Sequence, residues 1–338
     1  MTSFQRQPSA TAALLEHHEA RTWSHTDFHA DDLLAQKKAD GLTVSVVIPA
    51  RNEEATVGRV VSTLRSALVD EVPLVDELVV IDGHSSDRTA EVAARAGAEV
   101  VDQTEVLAEF GPGSGKGEAL WKGLSVTGGD LVVFVDADIH DIGPRFVTGL
   151  LGPLLTEADI SFVKASYDRP FRAGEALLPE GGGRVTELLA RPLLATFWPE
   201  LAWLSQPLSG EYAGRRDLLQ SVPFVQGYGV ELALLIDIVE ARGTAAIAQV
   251  DLGRRVHEHQ PLHALSRMAA EILHVAMARL QRAGRASFRD PLGAMLAQPG
   301  RRDDGVLRLD SHAVGWAERP PLSSLSATPP KGPAARRR

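Results

Sequence analysis

The chain has 338 residues, of which 44% are hydrophobic and 23% are charged, and its formal net charge is −9. This composition fits one large packed domain or two smaller ones, and the negative charge argues against a nucleic-acid-binding protein, whose affinity comes mostly from neutralising phosphates. The lack of cysteine excludes disulfides, thiolate nucleophiles and cysteine-ligated metals. Any metal site must therefore use carboxylate, imidazole or ligand oxygens, which favours Mg²⁺ or Mn²⁺.

The first 40 residues are polar and rich in histidine. They show no strand pattern, so we expect residues 1–40 to form a mobile arm with a short helix around Asp31–Lys38. They also lack the apolar core of a signal peptide, and no apolar run in the chain approaches the about 20 residues that a membrane span needs. We therefore expect a cytoplasmic protein without a membrane span.

Apolar runs alternate with helical patterns in the next part of the chain. The runs predict strands at Val44–Ile48, Leu78–Ile81, Ala98–Val101 and Leu131–Val135, and helical spacing predicts helices at Glu54–Val69, Thr89–Ala96 and Glu118–Val126. This order predicts an α/β fold with a doubly wound, mostly parallel, Rossmann-like sheet. Ligands bind such sheets at the carboxyl ends of the strands, so the loops after Ile48, Ile81 and Val135 are expected to share one rim.

The second half of the chain has a mixed pattern. It predicts strands at Ile160–Ala165 and Ala246–Val250, and helices at Val185–Leu194, Val230–Ala241 and Leu262–Leu280. The end of the chain, from about Gly300, is polar and then rich in proline and arginine, which favours disorder.

Asp136-Ala137-Asp138 directly follows the fourth predicted strand. One carboxylate at this rim can hold Mg²⁺ or Mn²⁺, and the other can accept a hydrogen bond from a ribose hydroxyl. Such a cation would neutralise a diphosphate as it leaves. The alternative is a solvated turn after a strand, because a chain of this length holds roughly one Asp-x-Asp by chance.

Pro49-Ala50-Arg51-Asn52-Glu53-Glu54 follows the first strand, where a dinucleotide-binding enzyme would carry G-x-G-x-x-G. The missing glycines argue against an NAD enzyme. Glu53 can anchor the base or ribose of a nucleotide, or it can simply complement a helix dipole. Gly83, after the second strand, allows a ligand to approach the backbone closely.

The segment Gly111–Gly117 is rich in glycine but is not a P-loop. Phe110 stands where the P-loop needs its first glycine, and Gly117 stands where it needs Ser or Thr. A kinase or ATPase is therefore disfavoured. Lys116 can reach a phosphate from a flexible loop, although an ordinary surface lysine is the alternative.

Gly181-Gly182-Gly183 opens the helix that continues with Arg184, Val185 and Thr186. Exposed backbone N–H groups at a helix start bind anions, and Arg184 with the Thr186 hydroxyl would complete a phosphate or carboxylate site. A linker with a capping threonine is the alternative.

Glu231 opens a later helix, where it can bind sugar hydroxyls or merely complement the helix dipole. His257 and His259 follow the last predicted strand two residues apart, which points both rings the same way on an extended segment. One of them would supply the further metal ligand that Asp138 needs, although a lone histidine is more often structural.

These residues together resemble the actinobacterial glucosyl-3-phosphoglycerate synthase family of GT-A glycosyltransferases, close to the mannosyl-3-phosphoglycerate synthases. The matching segments span roughly two-thirds of the chain and are VSVVIPARNEEATV, DELVVIDGHSSDRT, GKGEALW, GDLVVFVDADI, GGGRVTELLARPLL, QPLSGEY, GYGVELALLID and AIAQVDLG. The GGGRVTE, QPLSGEY and GYGVE segments are far more specific to this family than the Asp-x-Asp and first-strand segments.

The resemblance implies roles for individual residues. The nucleotide-sugar donor would be bound by Pro49, Ala50, Arg51, Asn52, Glu53, Gly83, Lys116, Asp136, Ala137, Tyr228, Gly229, Val230, Glu231, Arg255 and His257. The acceptor would be bound by Gly183, Arg184, Val185, Thr186 and His259, and the metal by Asp138 and His257. The residues expected to carry catalysis are Asp138, Glu231, His257 and Arg184.

The resemblance implies a retaining, Mg²⁺-dependent transfer of glucose from UDP-glucose to the 2-hydroxyl of 3-phosphoglycerate by a homodimer. The product would be a precursor of glucosylglycerate or of methylglucose lipopolysaccharide. The rival reaction uses GDP-mannose. A nucleotidyltransferase is disfavoured because PARNEE is acidic and lacks glycine, and a non-catalytic sugar-nucleotide-binding module is disfavoured because the metal and acceptor residues are all present.

The sequence patterns and these implied roles together give the expected domain organisation. Residues 41–170 would form the nucleotide-sugar-binding half and residues 171–260 the acceptor-binding half. Residues 261–299 would form a C-terminal helical extension, and residues 300–338 a largely disordered tail.

Overall fold

The computed structural model describes residues 7–168, 171–173, 176–178, 183–255, 261–301 and 305–325. The strands are β1 (Thr22–Ser24), β2 (Val44–Ala50), β3 (Glu77–Asp82), β4 (Glu99–Asp102), β5 (Leu131–Phe134), β6 (Phe162–Asp168), β7 (Phe171–Ala173), β8 (Ala176–Leu178), β9 (Tyr212–Arg215), β10 (Phe224–Val225), β11 (Ile247–Arg254), β12 (Met295–Arg301), β13 (Leu307–Ala313) and β14 (Glu318–Arg319). The helices are α1 (Gln7–Ala20), α2 (Ala30–Asp40), α3 (Val57–Arg65), α4 (Thr89–Ala96), α5 (Lys116–Val126), α6 (Arg145–Thr156), α7 (Arg191–Phe197), α8 (Arg216–Ser221), α9 (Val230–Arg242) and α10 (Leu262–Arg282).

An eight-stranded sheet forms the centre of the molecule, in the order β1-β11-β6-β9-β5-β2-β3-β4. Strand β9 runs antiparallel to both of its neighbours, and the other pairs are parallel. The predicted α/β fold with a mostly parallel sheet is therefore confirmed, and the four strands predicted first lie side by side as β5-β2-β3-β4. No helix among the described residues is long and apolar enough to cross a bilayer.

Two apolar layers cover the two faces of this sheet. Along β2, Val46 and Ile48 point into one layer and Val47 into the other, and all three are fully buried. Burial of each such side chain contributes about 1.5–3 kcal/mol. Continuous apolar runs are therefore needed in the central strands, which explains why the sequence pattern located them.

The predicted mobile arm is wrong for the described part of the first 40 residues. Strand β1 extends the main sheet by pairing in parallel with β11, and the Gln249 side chain donates a hydrogen bond of 2.8 Å to the Thr22 hydroxyl. Helix α2 covers the predicted short helix, and its buried Lys37 donates to the Leu74 carbonyl at 2.9 Å. Strand β1 has only three residues, which are too few to show the alternating pattern of a strand, and this explains the error.

The predicted disordered tail is also wrong for residues 305–325. Strands β12 and β13 form an antiparallel hairpin, so the expected helical extension is helical only as far as Arg282. Strand β14 pairs with β10, and the Trp121 indole donates a hydrogen bond of 2.9 Å to the Pro320 carbonyl. The hairpin leaves Met295, Leu307 and Leu309 exposed at 60%, 68% and 64%, so it has no buried face to impose a long strand pattern, which explains the error. Residues 326–338 lie outside the described residues.

Candidate active site

A cavity of about 950 Å³ opens at the carboxyl ends of the central strands. It is lined by the end of β2 (Pro49 and Ala50) and the residues that follow it (Arg51 and Glu53), by Gly83 after β3, and by Asp136, Ala137 and Asp138 after β5. The three loops expected to share a rim therefore do so. The same cavity is lined further along the chain by Lys116, Gly183, Arg184, Val185, Thr186, Tyr228, Glu231 and Arg255.

Lys116, the first residue of α5, is held between two carboxylates. Its ammonium contacts the carboxylate of Asp136, lies 3.2 Å from Glu231 Oε1, and donates to the Gly210 carbonyl at 3.2 Å. Burial opposes the charge, but the charges of Asp136 and Glu231 raise the pKa of Lys116 well above its ordinary value. Lys116 is therefore a fixed cation at the cavity wall and not an ordinary surface lysine.

The backbone of Gly210 allows this arrangement. A Cβ atom at Gly210 would lie 2.0 Å from a carboxylate oxygen of Asp136 and 2.4 Å from Lys116 Nζ. Any side chain at this position would displace both charged groups. The glycine of QPLSGEY therefore serves close packing behind the Asp-x-Asp turn.

Arg255 links the Asp-x-Asp turn to groups buried behind it. Its guanidinium lies 2.7 Å from Glu211 Oε1, donates to the Tyr167 hydroxyl at 2.7 Å and to Asp138 Oδ1 at 3.0 Å, and lies 3.6 Å from Asp136 Oδ2. Tyr167 in turn donates to Glu211 at 2.9 Å. Glu211 is fully buried, and burial raises its pKa while the charge of Arg255 opposes that rise. Tyr167 and Glu211 are not among the predicted site residues. Glu211 lies in the family-specific QPLSGEY segment, which could have indicated it.

Glu53 lines the same cavity as this cluster. Burial raises its pKa, and so do the negative charges of Asp138 and Asp136, whereas a hydrogen bond of 3.1 Å from the Thr56 hydroxyl opposes the rise. Glu53 therefore presents an acceptor in a crowded acidic region. A ligand that brings hydroxyl or amide donors, or a cation, would relieve the repulsion.

The predicted acceptor segment begins at Gly183 with a positive φ of 71°. Arg184 and Val185 open a helix whose next turn, Thr186–Ala190, is a π-helix followed by α7, so the predicted helix is present with a wider first turn. The Thr186 side chain is buried, and Arg184 faces the cavity. Gly181 and Gly182 lie outside the described residues.

Three predicted donor residues do not line the cavity. Asn52 has a left-handed φ of 59°, and its side chain accepts a hydrogen bond of 2.8 Å from the backbone of Ser86, so it joins two loops. Val230 is fully buried, and a Cβ atom at Gly229 would lie 2.4 Å from Val275. These two residues start α9 and thereby place Tyr228 and Glu231. The predicted His257 and His259 lie outside the described residues.

A divalent cation fits the residues present only in part. In the described part of the chain, no group of three or more His, Asp or Glu side chains could hold a metal ion by itself. The Asp138 side chain is 54% exposed at the cavity edge. Mg²⁺ usually binds through one or two carboxylates together with substrate phosphates, so a half-exposed carboxylate at the cavity edge matches its donor preference.

The Glycosyl transferase family 2 profile matches residues 45–170 of this chain. That segment holds the strands and loops from β2 to the Asp-x-Asp turn, so the fold and the site define a glycosyltransferase.

Similarity to individual proteins extends over nearly the whole chain. A glucosyl-3-phosphoglycerate synthase from Petrotoga mobilis is 44% identical, over 90% of this chain and 94% of the relative. The crystal structure of mannosyl-3-phosphoglycerate synthase from Rubrobacter xylanophilus is 40% identical with a TM-score of 0.84, covering 93% of this chain and 98% of that one. Glucosyl-3-phosphoglycerate synthase from Mycobacterium tuberculosis, solved with Mn²⁺, UDP and glucosyl-3-phosphoglycerate, is 43% identical with a TM-score of 0.77, over 90% of this chain and 98% of that one. The chain belongs to the glucosyl-3-phosphoglycerate synthase family.

Proposed function

We propose that this protein transfers a glucosyl group from UDP-glucose to the 2-hydroxyl of 3-phosphoglycerate. The observation that carries the proposal is one cavity lined by the Asp136-Ala137-Asp138 turn, by Lys116 and by Arg184. A nucleoside diphosphate and a doubly anionic acceptor need cationic groups of this kind side by side. The names of the relatives and the ligands of the M. tuberculosis structure support the same substrates.

The proposed donor end lies between Glu53 and Lys116. Glu53 offers an acceptor to the base or ribose, and Lys116 offers a fixed positive charge near the diphosphate. Asp138 and His257 are the proposed ligands of Mg²⁺, with Mn²⁺ as the alternative. When bound, the ion supplies positive charge that stabilises the leaving diphosphate.

The proposed acceptor end is the helix start from Gly183 to Thr186. Backbone N–H groups there and the planar guanidinium of Arg184 are suited to the carboxylate and phosphate of 3-phosphoglycerate. His259 is proposed as a further acceptor contact. Residues 41–170 remain the proposed donor half and residues 171–260 the proposed acceptor half, from which Glu231 and His257 would reach the donor.

We propose a front-face transfer that retains the configuration at the anomeric carbon. The bond from the anomeric carbon to the diphosphate oxygen breaks as its bond to the acceptor hydroxyl oxygen forms, and the hydroxyl proton passes to the departing diphosphate oxygen. Glu231 is paired with Lys116 at 3.2 Å and is proposed to hold sugar hydroxyls. A Glu231→Gln variant with full activity would remove this role.

GDP-mannose is a second candidate donor. The R. xylanophilus mannosyl enzyme has a TM-score of 0.84, higher than the 0.77 of the M. tuberculosis glucosyl enzyme. The test is to incubate the protein with Mg²⁺ and 3-phosphoglycerate and to follow nucleotide release from each donor in parallel. UDP release that needs the acceptor supports the proposal, whereas GDP release alone moves the protein to the mannosyl reaction.

Homodimer formation and a cytoplasmic location stay predictions. Helix α10 leaves Leu262 and Leu273 exposed at 69% and 39%, and we propose this helix as the dimer contact. Sedimentation equilibrium measures the oligomeric state, and a concentration-independent monomer would contradict the proposal.

A further inference from the structure

A C-terminal strap, defined as residues 313–320, runs along the cavity. Its residues Ala313, Gly315, Trp316 and Ala317 line the cavity. The backbone N–H of Val314 donates to the Ala294 carbonyl at 2.8 Å, and that of Gln226 donates to the Ala317 carbonyl at 2.8 Å. The strap therefore continues the β12–β13 hairpin before Trp316 and is tied to the segment after β10 beyond it.

Arg319 connects this strap to the segment that precedes Lys116. Arg319 is only 7% exposed, and its guanidinium donates to the two carboxylate oxygens of Glu118 at 2.6 and 2.9 Å. It also donates to the carbonyls of Phe110 at 2.6 Å and of Gly111 at 2.9 Å. One planar group thus joins the first turn of α5 to the start of the glycine-rich loop.

Three glycines of the glycine-rich loop, residues 111–117, pack closely against neighbouring groups. A Cβ atom at Gly113 would lie 2.5 Å from Arg319 Nη2, and one at Gly115 would lie 2.8 Å from the backbone nitrogen of Gly227. A Cβ atom at Gly117 would lie 1.8 Å from the Val225 carbonyl oxygen. The glycines therefore permit tight packing, and Arg319 forms one of the surfaces against which the loop is packed.

We infer that Arg319 is a positioning residue of the donor site. By holding Phe110, Gly111 and Glu118 it fixes the glycine-rich loop, and with it the Lys116 ammonium beside Asp136. The inference rests on the proposed function, because that function assigns Lys116 to the donor nucleotide. A loop ordered before the ligand arrives does not have to be ordered on binding, so the loss of Arg319 is expected to weaken donor binding.

Two substitutions separate positioning from simple stability. Arg319→Lys keeps a positive charge next to Glu118, but an ammonium lacks the planar fork that reaches the carboxylate and both carbonyls together. Arg319→Met removes the charge, and Glu118 then keeps Lys122 as a partner at 3.0 Å. The matched control is Arg308→Met, since Arg308 is 50% exposed and its ion pair with Asp310 lies in the hairpin.

The experiment measures amide hydrogen exchange without ligand, and then the affinities for UDP with Mg²⁺ and for 3-phosphoglycerate by calorimetry. In Arg319→Lys we expect faster exchange in residues 111–117 with unchanged exchange in β6, a UDP affinity lowered about tenfold, and an unchanged 3-phosphoglycerate affinity. Arg319→Met is expected to show the larger effect, and Arg308→Met none.

The inference is overturned if the Arg319 variants keep wild-type exchange in the loop and wild-type UDP affinity. It is also overturned if exchange rises throughout the sheet and both affinities fall together, because that result marks a purely structural role. The exchange measurement needs no ligand. Faster loop exchange in the variants, with no UDP binding even by the wild type, would support the contact while refuting the proposed donor.

Discussion

Removing Arg255 should both destabilise the protein and disorder the Asp-x-Asp turn. Arg255 is the cationic partner of Glu211 at 2.7 Å, and Glu211 has no exposed surface. An Arg255→Met variant leaves this buried carboxylate without its partner, which costs about 3–5 kcal/mol of unfolding free energy. The double variant Glu211→Gln/Arg255→Met removes both charges and is expected to recover a large part of that loss.

The destabilisation should grow with pH. Burial already raises the pKa of Glu211, and loss of the opposing Arg255 charge raises it further. A raised carboxyl pKa gives stability that is fully present below the unfolded value of about 4.3 and is lost as pH rises through the folded value. Arg255→Met should therefore lose more stability relative to wild type at pH 7.5 than at pH 5.

Urea unfolding of the single variants, the double variant and the wild type gives the coupling free energy between the two residues. Arg254→Met is the matched control, because Arg254 is the neighbouring residue and is exposed. The interpretation that Arg255 compensates a buried charge would be refuted if Arg255→Met is no less stable than the double variant at pH 7.5. It would also be refuted if the unfolding free energy lost in Arg255→Met does not depend on pH.

Three further predictions concern single residues. Gly117→Ala should lower the unfolding free energy measured in urea by about 1–3 kcal/mol, because its Cβ would lie 1.8 Å from the Val225 carbonyl oxygen. An unchanged midpoint of urea unfolding would show that the contact relaxes freely. Asp138→Asn should raise the Mg²⁺ concentration for half-maximal activity by at least about tenfold. It should have little effect on urea unfolding, because the side chain is 54% exposed. An unchanged metal titration would remove Asp138 from the metal site. Arg184→Lys should raise the KM for 3-phosphoglycerate about tenfold and leave the KM for UDP-glucose unchanged, because an ammonium cannot bind a carboxylate in bidentate fashion. Equal changes in the two KM values would contradict an acceptor role.

The central strands and the Asp136-Ala137-Asp138 turn could be predicted because both signals are local. A strand buried on both faces must be apolar along its whole length, as Val44–Ile48 is, and a polar turn directly after such a strand falls at the ligand-binding rim. The order of strands then placed Gly83 and Glu53 at the same rim without knowledge of any long-range contact.

The rest of the site depends on contacts between distant parts of the chain. The glycine-rich loop was interpreted as flexible because glycine permits flexibility, yet its glycines are required by the backbone at Val225 and Gly227. The pairing of Arg319 with Glu118 joins residues 201 positions apart, which no local pattern reveals. Glu211 precedes β9, the antiparallel strand inserted between β5 and β6, whose place in the sheet is set by tertiary pairing.

The identity of the reaction product tests the proposed glucosyl transfer. Purified protein would be incubated with UDP-glucose, 3-phosphoglycerate and Mg²⁺, and the product analysed by mass spectrometry and NMR spectroscopy. We expect one glucose joined in the α configuration to carbon 2 of 3-phosphoglycerate, formed only when acceptor and metal are both present. A β-linked product would contradict retention, and free glucose without any phosphoglycerate adduct would contradict the proposed acceptor.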